Sequence, residues 1–206
     1  YCGLPQNGEL SEYLNDLELG GFIARDYTWS LKTKKISKLS KYRLKDNYTR
    51  FYLKYIFPNR EQIKKGYFRE RSLASLPNWT GIIGLQFENL VLNNHHLIFK
   101  QLGLFYDEIV FDNPFFQRKT ARAGGCQIDY MIQTCHQTIY VCEIKFCNEK
   151  ISTSIIEELE NKINALQVPK NTSVRPVLIH VNGVSAQVVE SGYFANIIDF
   201  GDMLLG

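Results

Sequence analysis

No apolar run in the 206 residues approaches the length needed to cross a bilayer, and stretches such as Val177 to Val181 are interrupted by a polar residue, here His180. A membrane span is therefore excluded at the level of sequence. No G-x-x-x-x-G-K-[ST] occurs, so ATP binding cannot be placed on any residue of this chain. No G-x-S-x-G is present and no base can be paired with a nucleophile, which argues against a serine or cysteine hydrolase. Cys126, Cys135, His136, Cys142 and Cys147 crowd one region, but without a C-x-x-C pair they lack the usual spacing of structural zinc. With Cys2 the cysteines number five, and no signal peptide precedes them; a reducing, cytoplasmic compartment is expected. Internal repeats and low-complexity segments are also missing. His95 and His96 lie on a helical stretch without a Cys or carboxylate at ligand spacing and receive no role. The opening YCGLPQNGEL has no initiator methionine, so the chain is expected to be part of a longer polypeptide.

What is present is charge, unevenly spread. Residues 1–80 carry 15 Lys/Arg against 8 Asp/Glu, a net of +7, whereas residues 81–206 carry 9 against 13, a net of −4. This asymmetry predicts two modules of different character with a seam near Pro77 to Gly81. In the first, Leu10, Leu14 and Leu17 share one helical face, and Gly20-Gly21 end the helix. Trp29 with Leu31, then Tyr42 with Leu44, bracket a basic middle, the pattern of two short strands around an exposed loop, as in the wing of a winged helix. TRFYLKYIF, to Phe57, predicts a packing helix that closes the module at 57, and residues 58–80 read as a connector. The second module, 81–206, alternates helices and strands, with STSIIEELENKINAL as an amphipathic helix whose Glu158 is spaced to pair with Lys162 at i+4. Together these patterns predict an α/β protein with a mixed central sheet flanked by helices.

The stretch QIDYMIQTCHQTIYVCEIKF, 127–146, carries the chemistry. The two-residue strand period places Gln127, Asp129 and Met131 on one face, with Ile128, Tyr130 and Ile132 on the other. In the next strand Val141, Glu143 and Lys145 share a face opposite Tyr140, Cys142, Ile144 and Phe146. A hairpin centred near His136 sets Asp129 opposite Glu143 and Gln127 opposite Lys145; a slip of one residue would destroy that alignment. Glu88 has Gly84, Leu85, Val91 and Leu92 as helical neighbours and is expected on the face that enters the core. Isolated carboxylates there are costly, whereas two or three converging carboxylates bind a hard divalent ion such as Mg²⁺ or Mn²⁺. On this reading Asp129, Glu143 and the backbone carbonyl of Ile144 hold the ion, and Lys145 stands by the water that attacks a phosphodiester. The competing reading is a solvated sheet face, or a structural salt bridge, with Lys162 simply paired to Glu158 on the helix.

QIDY followed by CEIKF, with Glu88 on a preceding helix in GLQFENLV, resembles the core of the PD-(D/E)xK, or restriction-endonuclease-like, superfamily. More closely, the chain is similar to the C-terminal region of bacterial and archaeal AAA/STAND-type ATPases, in which a winged helix precedes such a nuclease-like domain. The resemblance implies a partial winged helix at about 8–47 and a restriction-endonuclease-like core. It places the family's acidic and lysine positions on Glu88, Asp129, Glu143 and Lys145, and a helix lysine on Lys162. It further implies DNA or RNA as partner, Mg²⁺ or Mn²⁺ as cofactor, and ATP only in an upstream ATPase domain outside this chain. The proline usual before the strand aspartate is replaced by Gln127-Ile128. If the winged-helix part touches nucleic acid, it does so through Lys32, Lys34, Lys35, Lys38 and Lys41, because the first helix offers Glu9, Glu12, Asp16 and Glu18 and no base. The alternative to catalysis is a non-catalytic module that docks nucleic acid or protein for the ATPase.

Overall fold

A computed structural model describes residues 8–120 and 124–204; Cys2 lies outside them. Its chain forms two compact units, one of 1–26 with 40–89 and one of 27–39 with 90–206.

The first unit is mostly helical. Helix α1 (Gly8–Leu19) ends where Phe22 N–H bonds Leu17 O at 3.0 Å and Gly21 N–H bonds Glu18 O at 3.0 Å, with Gly21 at φ +77°. That pair of bonds needs a left-handed residue at Gly21, which is why the glycine pair stops the helix. Strands β1 (Ile23–Ser30) and β2 (Lys35–Leu44) form a hairpin whose base belongs to this unit. The expected aromatic helix is a succession of short turns: α2 (Asn47–Phe51), capped by Asp46, then a π turn (Tyr52–Ile56) and a 3-10 turn (Phe57–Asn59) that contains Pro58. Helices α3 (Arg60–Lys64) and α4 (Trp79–Asn93) follow. Tyr55, Leu76 and Ile82 make a small core with Phe51 and Trp79, and Tyr55 donates its hydroxyl hydrogen to Pro77 O.

Buried polar bonds tie this unit together. Asn89, 1% exposed, donates to Leu44 O at 2.7 Å and to Asn47 Oδ1 at 3.1 Å and accepts from Arg43, which in turn pairs with Asp26 at 2.8 Å. Each buried polar group of this set has a partner, so its desolvation is offset.

The second unit is the α/β one. After α5 (His95–Leu102), strands β3 (Ile109–Gln117), β4 (Cys126–Thr134) and β5 (Thr138–Phe146) run antiparallel. Helix α6 (Ser154–Ala165) then leads to β6 (Ser173–Val181), and α7 (Ala186–Glu190) to β7 (Asn196–Asp199), both parallel to β5; α8 (Phe200–Leu204) ends the described chain. The sheet order is β3-β4-β5-β6-β7, so the mixed central sheet with flanking helices expected from the sequence is present.

Two local departures matter. The stretch before β4 is the nine-residue edge strand β3. Its pairing with β4 shifts between Asn113 and Phe115, on either side of Pro114, which has no N–H for the ladder. The shift breaks strict alternation in β4, so Ile128 packs in the same cluster as Met131 rather than on the opposite face. Second, Trp29 and Leu31, expected to bracket an exposed wing loop, are 4% and 5% exposed and lie in the core of the sheet unit with Phe115, Met131, Val141, Ile155 and Leu159. Gln133 fastens them: it accepts from Trp29 Nε1 at 2.7 Å and donates to Leu31 O at 2.9 Å. The tip of the β1–β2 hairpin is thus part of the α/β unit.

Candidate acidic site on the sheet

The hairpin β4–β5 turns through Cys135–Gln137, with Gln137 in the left-handed region at φ 56°. A three-residue connection ending in such a residue is a common hairpin closure, and it fixes the register. Tyr130 pairs with Cys142 and Met131 with Val141, the last pairs of the ladder before Asp129, whose side chain turns to the backbone N–H of Ile144. Val141, Glu143 and Lys145 share the face on which α6 packs, since Ile155 and Leu159 of α6 join Met131 and Val141 in one core. The apolar part of that face is sealed by α6. At its end lie the charges.

Glu143 is 1% exposed. Its Oε2 accepts from Lys162 Nζ at 2.5 Å, and its Oε1 lies 3.1 Å from Lys145 Nζ. Asp129, with 19% of its side chain exposed, accepts from the Ile144 N–H at 3.0 Å and has Lys162 Nζ 3.9 Å from Oδ1. Lys145 also donates to Glu158 at 3.0 Å. The expected i+4 pair of Glu158 with Lys162 therefore does not form: Glu158 takes Lys145, and Lys162 turns to the buried carboxylates. The physical reason is burial, because an unpaired Glu143 in the interior would cost far more than an exposed helix pair contributes.

Burial, and after it the nearby Glu143 charge, push the Asp129 carboxyl up to about 6, against the opposing influence of Lys162, the Ile144 N–H and Lys145. For Lys145, burial works to lower the ammonium's pKa, but the bond to Glu158 and the charge of Glu143 outweigh it and the net shift is upward. On the opposite face burial holds the Cys142 thiol well above its usual range, so it is an inert apolar contact beneath the site.

Asp129 and Lys162 border an open depression of about 480 Å³, together with Gly125, Gln127 and Asn161. Glu143 lies behind them. The arrangement presents one carboxylate and one ammonium to an incoming group, with a second carboxylate held below. Lys162 Nζ is itself a cation between the two acids, so the donor set already accommodates positive charge at that point. Among the described residues no group of three or more His, Cys, Asp and Glu side chains is placed to hold a metal ion. A divalent ion held here would take Asp129 and Glu143 and complete its shell with backbone oxygen and water, a mode that suits Mg²⁺.

The other expected residues are placed as follows. Glu88 is half-buried on α4 in the helical unit, where its charge acts on the guanidinium of Arg50. Ile144 meets Asp129 through its N–H. Lys32, Lys34, Lys35, Lys38 and Lys41 are all exposed. Sequence reasoning gave Lys162 mainly to Glu158; its i+3 and i+4 spacing to Leu159 and Glu158 was visible, but the depth of Glu143 was not. No helix among the described residues is long and apolar enough to cross a membrane.

No family model matches the chain, and no curated protein matches it. Among solved structures, a crystal structure of a repair endonuclease from Pyrococcus abyssi is similar at 18% identity and a TM-score of 0.36. The match covers 54% of this chain and 44% of that one, so it spans less than half of the endonuclease. A likeness at this level sets neither activity nor substrate.

Proposed function

We propose that the α/β unit carries a metal-dependent phosphodiesterase centre acting on DNA or RNA, as the resemblance to PD-(D/E)xK nucleases implies. The observation that carries this reading is the convergence of Asp129 and Glu143 on one cation, Lys162 Nζ, at the edge of an open depression. Two carboxylates gathered around a single positive point, one with its carboxyl raised to about 6, form a place that favours added positive charge. When bound there, Mg²⁺ or Mn²⁺ supplies polarisation of a phosphoryl oxygen and a more acidic water. Asp129 and Glu143 hold the charge, and Ile144 N–H keeps Asp129 oriented. Lys145, steadied by Glu158, stands beside Glu143 and stabilises negative charge that develops on the attacked phosphate. Lys162 leaves the acids and turns to the substrate's phosphate. The reading needs only these residues of the α/β unit and does not depend on Glu88. An ATPase domain of the same polypeptide is the partner that the resemblance suggests would govern it.

A second reading is favoured by one observation: Glu143 is already fully paired by Lys145 and Lys162, so the cluster also works as a closed structural network in a binding platform.

The deciding measurement is cleavage of labelled DNA and RNA oligonucleotides with Mg²⁺ or Mn²⁺, comparing the parent with Lys145→Ala. The expected result is metal-dependent cleavage that falls on the order of 10²–10³-fold in the variant. Equal cleavage in both identifies a contaminant, and none in either leaves the platform.

A further inference from the structure

The tip of the β1–β2 hairpin and the end of β3 enclose a second cavity, a groove of about 340 Å³ lined by Thr28, Lys32, Ser37, Phe116, Arg118 and Gln167 among others, all within the α/β unit. Among the described residues its charged lining is Lys32 and Arg118, with no Asp or Glu. Thr28 is 5% exposed, and its Oγ1 has no hydrogen-bond partner among the described residues. A buried hydroxyl left without a partner costs stability unless something else bonds it. The groove and the acidic depression are linked by Gln117. Gln117 lines the groove, and its Nε2 donates to Gly124 O at 2.7 Å and to Ala165 O at 2.9 Å, while Ala165 lines the depression beside Asp129 and Lys162.

We propose that this groove is an anchoring subsite for the phosphodiester backbone of a nucleic-acid strand: Lys32 and Arg118 bind a phosphate flanking the one presented to Asp129, and the Thr28 hydroxyl donates to it. The proposal rests on the phosphodiesterase reading for the identity of the ligand, but its chemistry is independent of cleavage. Positive lining without acids suits a polyanion, hydroxyls add donors that need no charge, and the adjoining depression gives the strand a direction. The hairpin tip is the right carrier because Trp29, Leu31 and Gln133 bind it into the sheet's core, so Lys32 is held against the same unit as Asp129. Lys34 and Lys35, on the same hairpin, do not line the groove and contribute only diffuse charge.

The test is the anisotropy of a fluorescein-labelled single-stranded DNA oligonucleotide titrated with the whole chain in EDTA, where no cleavage occurs. Lys32→Ala/Arg118→Ala is expected to weaken binding on the order of 10-fold and to lower the salt slope by about 0.7, the value for one phosphate no longer neutralised on a single strand. Thr28→Val is expected to weaken binding with no loss of Tm, which separates a ligand contact from a folding defect. Lys34→Ala/Lys35→Ala is expected to have a smaller effect. A double variant that binds like the parent overturns the subsite while leaving the cleavage reading intact, since Asp129, Glu143 and Lys145 are unchanged. An equal loss in the Lys34/Lys35 pair, or a parent that binds no oligonucleotide, also overturns it. Groove-dependent binding without metal-dependent cleavage by the parent supports the subsite and removes the phosphodiesterase centre.

Discussion

Each of the two units contains a buried charged cluster, and the two are built on different principles. In the helical unit one carboxylate, Asp26, meets one guanidinium, Arg43, and the surrounding bonds to Asn89, Asn47 and Leu44 O use neutral groups. In the α/β unit two carboxylates from neighbouring strands share Lys162, and one of them, Asp129, borders an open depression. The first arrangement is balanced and closed, so removing any member leaves a buried group unsatisfied. The second buries two acids close together beside Lys145 and Lys162, and burial first, then the Glu143 charge, raise the Asp129 carboxyl. Closed networks of matched groups hold a fold together; convergent like charges at an opening make a place for something to bind.

The sharpest way to break this contrast is to remove one partner on each side. Arg43→Ala leaves Asp26 and Asn89 buried without their donor and is expected to cost about 3–5 kcal/mol in urea unfolding. Retained stability in that variant would show the first network to be no more structural than the second. In metal-free buffer Asp129→Asn is expected to do the opposite and stabilise the chain above pH 6. The folded state holds the Asp129 proton up to about 6, above the ordinary value of 3.8, so from 3.8 to 6 the native state binds more protons than the unfolded one. Stability therefore falls as pH rises through that window and stays lower above it, by up to about 3 kcal/mol. The gain from Asn should shrink to roughly a few tenths of a kcal/mol at pH 3.5, where the folded state is protonated and the unfolded state mostly so; a full gain that persists there would point to a packing effect. Smallest of all, Glu158→Gln breaks an exposed pair with Lys145 and is expected to change stability by less than about 1 kcal/mol. A larger change would mean that Glu158 helps to hold Lys145 against Glu143, which the thermal unfolding of a Glu158/Lys145 double-mutant cycle would quantify.

Much of the site was legible in the chain because hairpin register follows from local rules. Alternation in Tyr140 to Phe146 and a turn centred on His136 were enough to set Tyr130 opposite Cys142, next to the two acids that meet at Lys162, and Gln137 in the left-handed region supplies the closure. The apolar face of α6 was equally plain from Ile155 and Leu159. Strict alternation failed in β4, which has two residues, Asp129 and Tyr130, between its pairings with Asn113 and Phe115 where β3 has one, Pro114; such an extra residue is set by the pairing and leaves no mark in the periodicity of the strand. The partners of Lys162 and Glu158 also escaped, because both pairings satisfy helix spacing and only the depth of Glu143 chooses between them.

By itself the order of residues determined the local elements: the glycine stop after α1, the β4–β5 hairpin, the amphipathic α6, and the charges that share one strand face. Those depend on backbone preference and periodicity over a few residues. Tertiary structure alone decided that Trp29 and Leu31 belong to the sheet, that Lys162 serves two acids from a helix, and that a cationic groove adjoins them. Burial is the reason: what a charged or aromatic side chain gains depends on the dielectric and the neighbours around it, and segments distant in the chain set both.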